Sequence, residues 1–275
     1  MKKIAKILVP VDFSDTALKA YRFAQRIAAG TAAELHLLHV TYPQMENIDH
    51  PLEPSGSATD ARTALLEERM AQFVADAEWK GERTLKISTL IEVGAIIPVI
   101  RKKARDYDLI VMGTRGEHAL IESLLGTVAS DVVIHATCPV VVVPQYTDKN
   151  EMTSIAYAVD LKWVNEKRLL EWSDLLNVPQ RVIHLVFFGD ANDPKVPVHL
   201  QKLKKSLAAH LPDSTIYTHK LRKHELVEDL SQFSEQNEID LLIMYRGRNS
   251  WKRKLFHRSL TRQMAGKTKI PLLVV

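Results

Sequence analysis

Asp108-Leu109-Ile110-Val111-Met112 runs directly into Gly113-Thr114-Arg115-Gly116, and nine residues further on come Gly126-Thr127. The apolar run reads as a buried strand, and the glycines after it let a backbone turn tightly or approach a ligand closely where a Cβ would clash. A loop that leaves a parallel strand with N–H groups free ahead of a helix is a natural phosphate cradle, and Thr127 adds a hydroxyl that can donate to a phosphate oxygen. The spacing Gly-x2-Gly-x9-Gly-Thr is neither the dinucleotide fingerprint nor a Walker loop. It points to a nucleotide site of another kind.

Working outward, Ile7-Leu8-Val9-Pro10-Val11-Asp12 is a β-rich run ending in a carboxylate. Ser14 and Asp15 offer N-cap chemistry to a helix from Thr16 to Ala29, with Gly30 expected to stop it. Leu35 to Val40 is the next strand, and residues 41–60, with three prolines, read as a surface loop. A helix from about Asp60 to Ala77, a strand from Leu85 to Ile91 and, after Gly94, a helix to about Ala104 precede the glycine loop. A further helix through Ile134 and the strand Pro139 to Val143 close the unit. Strands and helices alternating at this pitch predict an α/β, doubly wound parallel sheet of Rossmann-like type.

From Ser154 the same order returns. Ile155 to Asp160 echoes Ile7 to Asp12, Arg181 to Phe188 the second strand and Thr215 to Leu221 the third. Asp240-Leu241-Leu242-Ile243-Met244 lies 132 positions after its counterpart (240 − 108), and Pro271 to Val275 lies 132 after Pro139 to Val143 (271 − 139). Two tandem copies of a five-stranded domain are therefore expected, 1–147 and 152–275, joined near Pro144 to Thr153. The copies diverge at the loop. Gly113, Gly116 and Gly126 correspond to Tyr245, Arg248 and Arg258, and only the Thr127 position keeps a hydroxyl, as Ser259. A turn demanded by the fold alone would be expected to persist in both copies, so the contrast favours a ligand in the first.

Bulk composition bounds the rest. Apolar residues make up 46% and charged residues 25%, ordinary for a globular protein with room for two cores. A net charge of +4 is too weak to imply nucleic acid. The single cysteine, Cys138, suits a reducing cytoplasm and reads as a small buried side chain. The start is basic, but Asp12 and Asp15 follow only a short apolar run, so it does not read as a signal peptide, and no stretch reaches the ~18 apolar residues of a membrane span. The 11 histidines show no metal spacing; His36 and His39 fall on opposite faces of one strand.

Val9-Pro10-Val11-Asp12 on the first strand, with Met112-Gly113-x2-Gly116-x9-Gly126-Thr127 after the fourth, resembles the universal stress proteins. The resemblance covers nearly the whole chain as a tandem member whose second half departs from the ATP-binding pattern. It implies a five-stranded parallel sheet of the adenine-nucleotide α-hydrolase-like kind, holding ATP in the first half, with Mg²⁺ compatible through phosphate and water. Pro10, Val11, Asp12 and the backbone of Val40 would sit by the adenine and ribose. Met112 and Gly113 would line the ribose; Gly116, Gly126, Thr127 and Val128 would receive the phosphates, with Arg115 in the loop. The family also implies that Val140–Val143 and Leu272–Val275 pair within the chain as a pseudo-dimer, with further homodimerisation open.

Plainer readings stand beside these. The glycines serve equally as a tight strand-to-helix connection, Asp12 as a cap or loop acceptor, and Arg115 as a solvated side chain. The basic stretch from Arg246 to Lys269 reads as a solvated face or as an anion- or partner-binding module. No base or carboxylate pair stands out for phosphoryl transfer. The sequence thus predicts an ATP-binding, stress-response regulatory protein rather than an enzyme, with slow hydrolysis or transfer as the alternative.

Overall fold

The computed structural model describes residues 4–43, 56–114, 126–145, 147, 152–159, 170, 181–188, 195–221, 226–245, 263–265 and 267–275. In the first half β1 (Lys6–Pro10) leads to α1 (Asp15–Thr31), β2 (Glu34–Thr41), α2 (Gly56–Asp76), β3 (Ile87–Val93), α3 (Ile96–Lys103), β4 (Leu109–Gly113), α4 (Thr127–His135) and β5 (Val140–Val143). In the second, β6 (Ser154–Val159) and β7 (Val182–Phe188) are followed by α5 (Lys195–His210), β8 (Thr215–Leu221), α6 (Leu226–Gln236), β9 (Leu241–Met244) and β10 (Leu272–Val274).

These strands make one ten-stranded sheet in the order β3-β2-β1-β4-β5-β10-β9-β6-β7-β8. The second half thus repeats the strand order of the first in mirror sequence about the centre. Every neighbouring pair is parallel except the central one, where Leu272, Leu273 and Val274 face Val142, Val141 and Val140 in an antiparallel ladder. Parallel strands covered on both faces need apolar side chains in both directions, which is why β4, β5, β9 and β10 are buried at almost every position. The alternation separates two cores. Ile7, Val9, Tyr21, Phe73, Val141, Tyr157, Leu203 and Leu273 lie on one side. Leu8, Ile110, Val132, Val140, Val186, Phe233 and Leu272 lie on the other. Each core crosses the central ladder, so the halves share buried surface as well as hydrogen bonds.

Local signals account for most element limits. Ser14 caps α1 with its Oγ accepting from the Ala17 N–H at 3.2 Å, and Asp15 sits in the first turn where the helix dipole favours an anion. Buried Ala17, Ala20, Tyr21, Ala24, Ile27 and Ala28 recur at helical spacing. Gly30 does not stop this helix. It lies inside, and Ala32 takes the left-handed position at φ 61° while its N–H bonds the Ala28 carbonyl. The third strand runs from Ile87 to Val93, two residues later than the Leu85 to Ile91 expected, because pairing begins at Leu35 opposite Ile87 and runs to Thr41 opposite Val93. Within the stretch expected to be a loop, Thr41 is still strand and Gly56 to Asp60 already helix; residues 44–55 lie outside the described residues.

Candidate functional site

Strand order reverses between β1 and β4: β1 hands the chain through α1 to β2 on one side, while β4 hands it through α4 to β5 on the other. Beyond the carboxyl ends of that strand pair an open α/β sheet leaves a crevice. Asp12, Gly113, Gly126 and Thr127 all fall there by their position in the fold. Arg115 and Gly116 lie outside the described residues.

On the β1 side the turn is held by its own side chains. The Asp12 carboxylate accepts from the Ser14 N–H at 3.1 Å and from the Ser14 hydroxyl at 2.6 Å, while Ser14 caps α1. Asp12 is therefore a loop acceptor, and the helix cap is Ser14. Between them Phe13 adopts φ 66°, a conformation that costs a non-glycine residue on the order of 1 kcal/mol. Packing offsets that cost. The Phe13 ring lies 4.5 Å from the His39 ring and 5.9 Å from Phe73, and the Arg69 guanidinium sits 4.4 Å above it. His39 shares a 2.9 Å hydrogen bond with the Val11 carbonyl, tying the tip of β2 to the turn. Burial lowers the His39 pKa below its ordinary value; the Val11 carbonyl and Asp12 oppose that shift, and Arg69 and Arg62 add to it.

Val11 is buried, with its N–H on the Leu38 carbonyl at 2.8 Å. Val40 lies two residues further along β2. By strand alternation its backbone groups turn to the same side as those of Leu38, past the point where β1 has ended at Pro10. That is the placement a backbone contact from Val40 requires.

On the β4 side, Met112 is buried in the core. A Cβ at Gly113 would lie 2.9 Å from the Thr16 carbonyl carbon and 3.0 Å from its Cβ and carbonyl oxygen. The first turn of α1 rests directly on β4 at this point, so Gly113 has a packing reason independent of any ligand. Thr114 then pins both ends of the glycine loop. Its N–H donates to the Val143 carbonyl at 3.1 Å, and its carbonyl accepts from the Gly126 N–H at 2.8 Å. Gly126 is the N-cap of α4 and supplies no side-chain cap, and among the described residues no side-chain acceptor meets the first-turn N–H groups; Thr127 is exposed there and Val128 packs against the core. Phe13, Thr16, His39, Arg69 and Thr114 carry no motif by themselves. Only a chain with both turns in place brings them together.

In the second half Tyr245 stands half-buried just past β9, at the position that Gly113 holds at the end of β4. Asp160, Arg248, Arg258 and Ser259, which would complete the corresponding crevice, lie outside the described residues. Among the described residues no three His, Cys, Asp or Glu side chains converge as a metal site, and no helix is long and apolar enough to cross a membrane.

Comparison with known proteins places this geometry. The model of the universal stress protein family matches residues 3–144. A universal stress protein of Methanocaldococcus jannaschii is 35% identical over 142 residues, covering 50% of this chain and 81% of its own length. One from Synechocystis is 26% identical over 296 aligned residues, covering 97% of this chain and 98% of that protein. The crystal structure of a universal stress protein from Archaeoglobus fulgidus superposes with a TM-score of 0.69 at 19% identity, covering 98% and 97% of the two chains.

Proposed function

The chain belongs to the universal stress protein family, and from that premise we propose that its first half binds an adenine nucleotide, ATP foremost, in the crevice between the β1 and β4 turns. The observation that carries the reading is the N-terminus of α4, where Gly126 gives no side-chain cap, held at the strand-order switch point by the Thr114–Gly126 bond. A helix start with free N–H groups and a positive dipole end receives phosphate oxygens, and the Thr127 hydroxyl adds a donor. In this reading Arg115 and Gly116 continue the phosphate loop, Met112 and Gly113 line the ribose, and Pro10, Val11, Asp12 and the Val40 backbone meet the base and ribose. Mg²⁺ would enter with the phosphates.

The same residues support binding as a switch rather than turnover. Asp12 is engaged by the Ser14 N–H and hydroxyl, and His39 by the Val11 carbonyl. Both brace the turn. Occupancy would then alter the α1 and α4 starts, which share the crevice, and the output would be a change of partner in a stress response in the cytoplasm. The two halves act as an internal pseudo-dimer, a reading supported by the antiparallel β5–β10 ladder.

The test is denaturation of purified protein with mass spectrometry of what is released, followed by ATP titration with Mg²⁺. About one adenine nucleotide per chain is expected. Gly126→Val should abolish binding with an unchanged melt, since a side chain there projects towards the phosphate path. Two nucleotides per chain, or binding indifferent to Gly126→Val, would overturn the reading.

A further inference from the structure

Among the described residues the sheet has two free edges, β3 and β8. Their backbones are oriented by the ladders they already make. The Leu35 N–H donates to the Lys86 carbonyl and the Gly94 N–H to the Thr41 carbonyl, so the even-numbered residues of this segment turn to β2. The N–H and C=O groups of Ile87, Thr89, Ile91 and Val93 therefore point away from the sheet. On β8 the Thr215 N–H donates to the Arg181 carbonyl, which leaves Ile216, Thr218 and Lys220 facing outward.

The two edges differ in how they are protected. A lysine on an edge discourages strand addition, and β8 carries Lys220 among its outward residues. β3 has neither lysine nor proline, and its one charge, Glu92, pairs with Lys103 on α3. Its ends are also apolar and open to solvent: Ile87 is 37% and Val93 65% exposed, and Tyr42 at the end of the adjacent strand is 61% exposed.

We propose that β3 is a homodimerisation edge: a second copy of this chain adds its own β3 antiparallel about a two-fold axis at Leu90, joining two ten-stranded sheets into one. The register is self-consistent. It sets Ile87 opposite Val93 of the second copy and Thr89 opposite Ile91, each residue with outward backbone groups facing another such residue. About eight inter-chain N–H···O=C bonds follow. The two exposed apolar ends cover each other, whereas an axis at Ile91 would set Val93 against Thr89 and Ile87 against the small Ala95. Charge agrees with it. Lys86 and Glu92, paired with Glu34 and Lys103 within the chain, come diagonally beside each other across the axis on one face, so the strand brings no like charges of its own together. The sheet already uses this device once, between β5 and β10. The proposal is independent of the nucleotide site.

Sedimentation of the full chain from about 1 to 200 μM should show a shift towards twice the 31.1 kDa chain mass, the range in which a small edge-on interface associates. Val93→Lys should weaken the dimer by about tenfold or more without changing the melting temperature. Thr89→Pro should abolish it, because it deletes an outward N–H and none bonded to β2. Cross-linking fixes the register without depending on those variants. Leu90→Cys, at the axis, should form an inter-chain disulfide under mild oxidation, whereas Ser88→Cys, opposite Glu92, should not; Cys138 is buried and does not compete. A monomer throughout the range, a dimer indifferent to Val93→Lys, or equal cross-linking at positions 88 and 90 would overturn the proposal.

Discussion

Two pairs of corresponding residues behave in opposite ways in the two halves. Asp108 accepts from the Ala5 and Lys6 N–H groups at 2.9 and 3.1 Å, and Asp240, 132 positions on, accepts from the Thr153 and Ser154 N–H groups at 3.1 and 2.9 Å. Gly113 lies under Thr16, yet its counterpart is Tyr245. The aspartate ties the entry of each half's first strand to the start of its fourth, so every copy of the sheet needs it. The glycine is needed where α1 starts close over β4; the residues that would form the corresponding helix start in the second half lie outside the described residues.

A third pair lies between these extremes. His36 and His184 occupy the same register position, opposite Leu8 and Ala156. His36 meets the Tyr107 hydroxyl at 2.9 Å, but Ile239 stands at the tyrosine's place in the second half, and His184 bonds His219 on β8 at 2.9 Å instead. A buried polar group must keep a partner, although the partner can change element.

The largest effect that would test this contrast is at the glycine. Gly113→Val should cost about 3 kcal/mol, because the neighbour it meets is the backbone of Thr16, while Tyr245→Val should cost about 1 kcal/mol or less. Urea melts of both variants check it, and equal losses would mean that the second half keeps the same close approach. Next come the aspartates. Asp240→Ala, which also loses the Thr153 hydroxyl and lies buried, should destabilise by about 3 kcal/mol. Asp108→Ala, closer to solvent, should cost about 1 kcal/mol. A reversed order would show that burial does not set their weight.

The smallest effect is a pH dependence. Burial lowers the pKa of His184 below its ordinary 6.5, with His219 adding to the shift, and burial lowers His219 as well. The unfolded imidazoles take up protons near 6.5 and the folded ones only at lower pH. Stability is therefore complete above 6.5 and is lost as pH falls through the folded values. A drop in melting temperature on the order of a few degrees between pH 7.5 and 5.5 is expected. His39 in the first half has a lowered pKa too, through burial, with no second histidine contributing to the shift. His219→Gln should accordingly flatten the profile more than His39→Gln, and equal flattening would remove this difference between the halves.

Much of the first half was legible because its signals are local. The strands β1, β2 and β4 are short apolar runs, and Ser14 announces its helix through a cap that needs only the next three residues. Legibility fell where a neighbour decides. Gly30 is the better left-handed residue by intrinsic preference, yet Ala32 holds that conformation at the junction with β2. The limits of β3 follow from where β2 offers partners, since an exposed edge strand lacks a clean apolar alternation. At the site, Asp12 and the glycines stood out by type and spacing. Phe13, Thr16, His39 and Arg69 did not, because they meet only across the sheet's end.

By itself, then, the order of apolar runs, glycines and aspartates determined an α/β chain written twice, the family it belongs to, and the half that keeps the glycines. Those are properties of periodicity and of residue chemistry read along the chain. Tertiary structure alone decided that β5 meets β10 antiparallel, that Thr16 makes Gly113 a packing requirement, that His184 turns to His219, and that among the described residues β3 lies at a sheet edge. Each depends on which strand lies beside which, and backbone hydrogen bonds and buried side chains are satisfied between elements far apart in sequence.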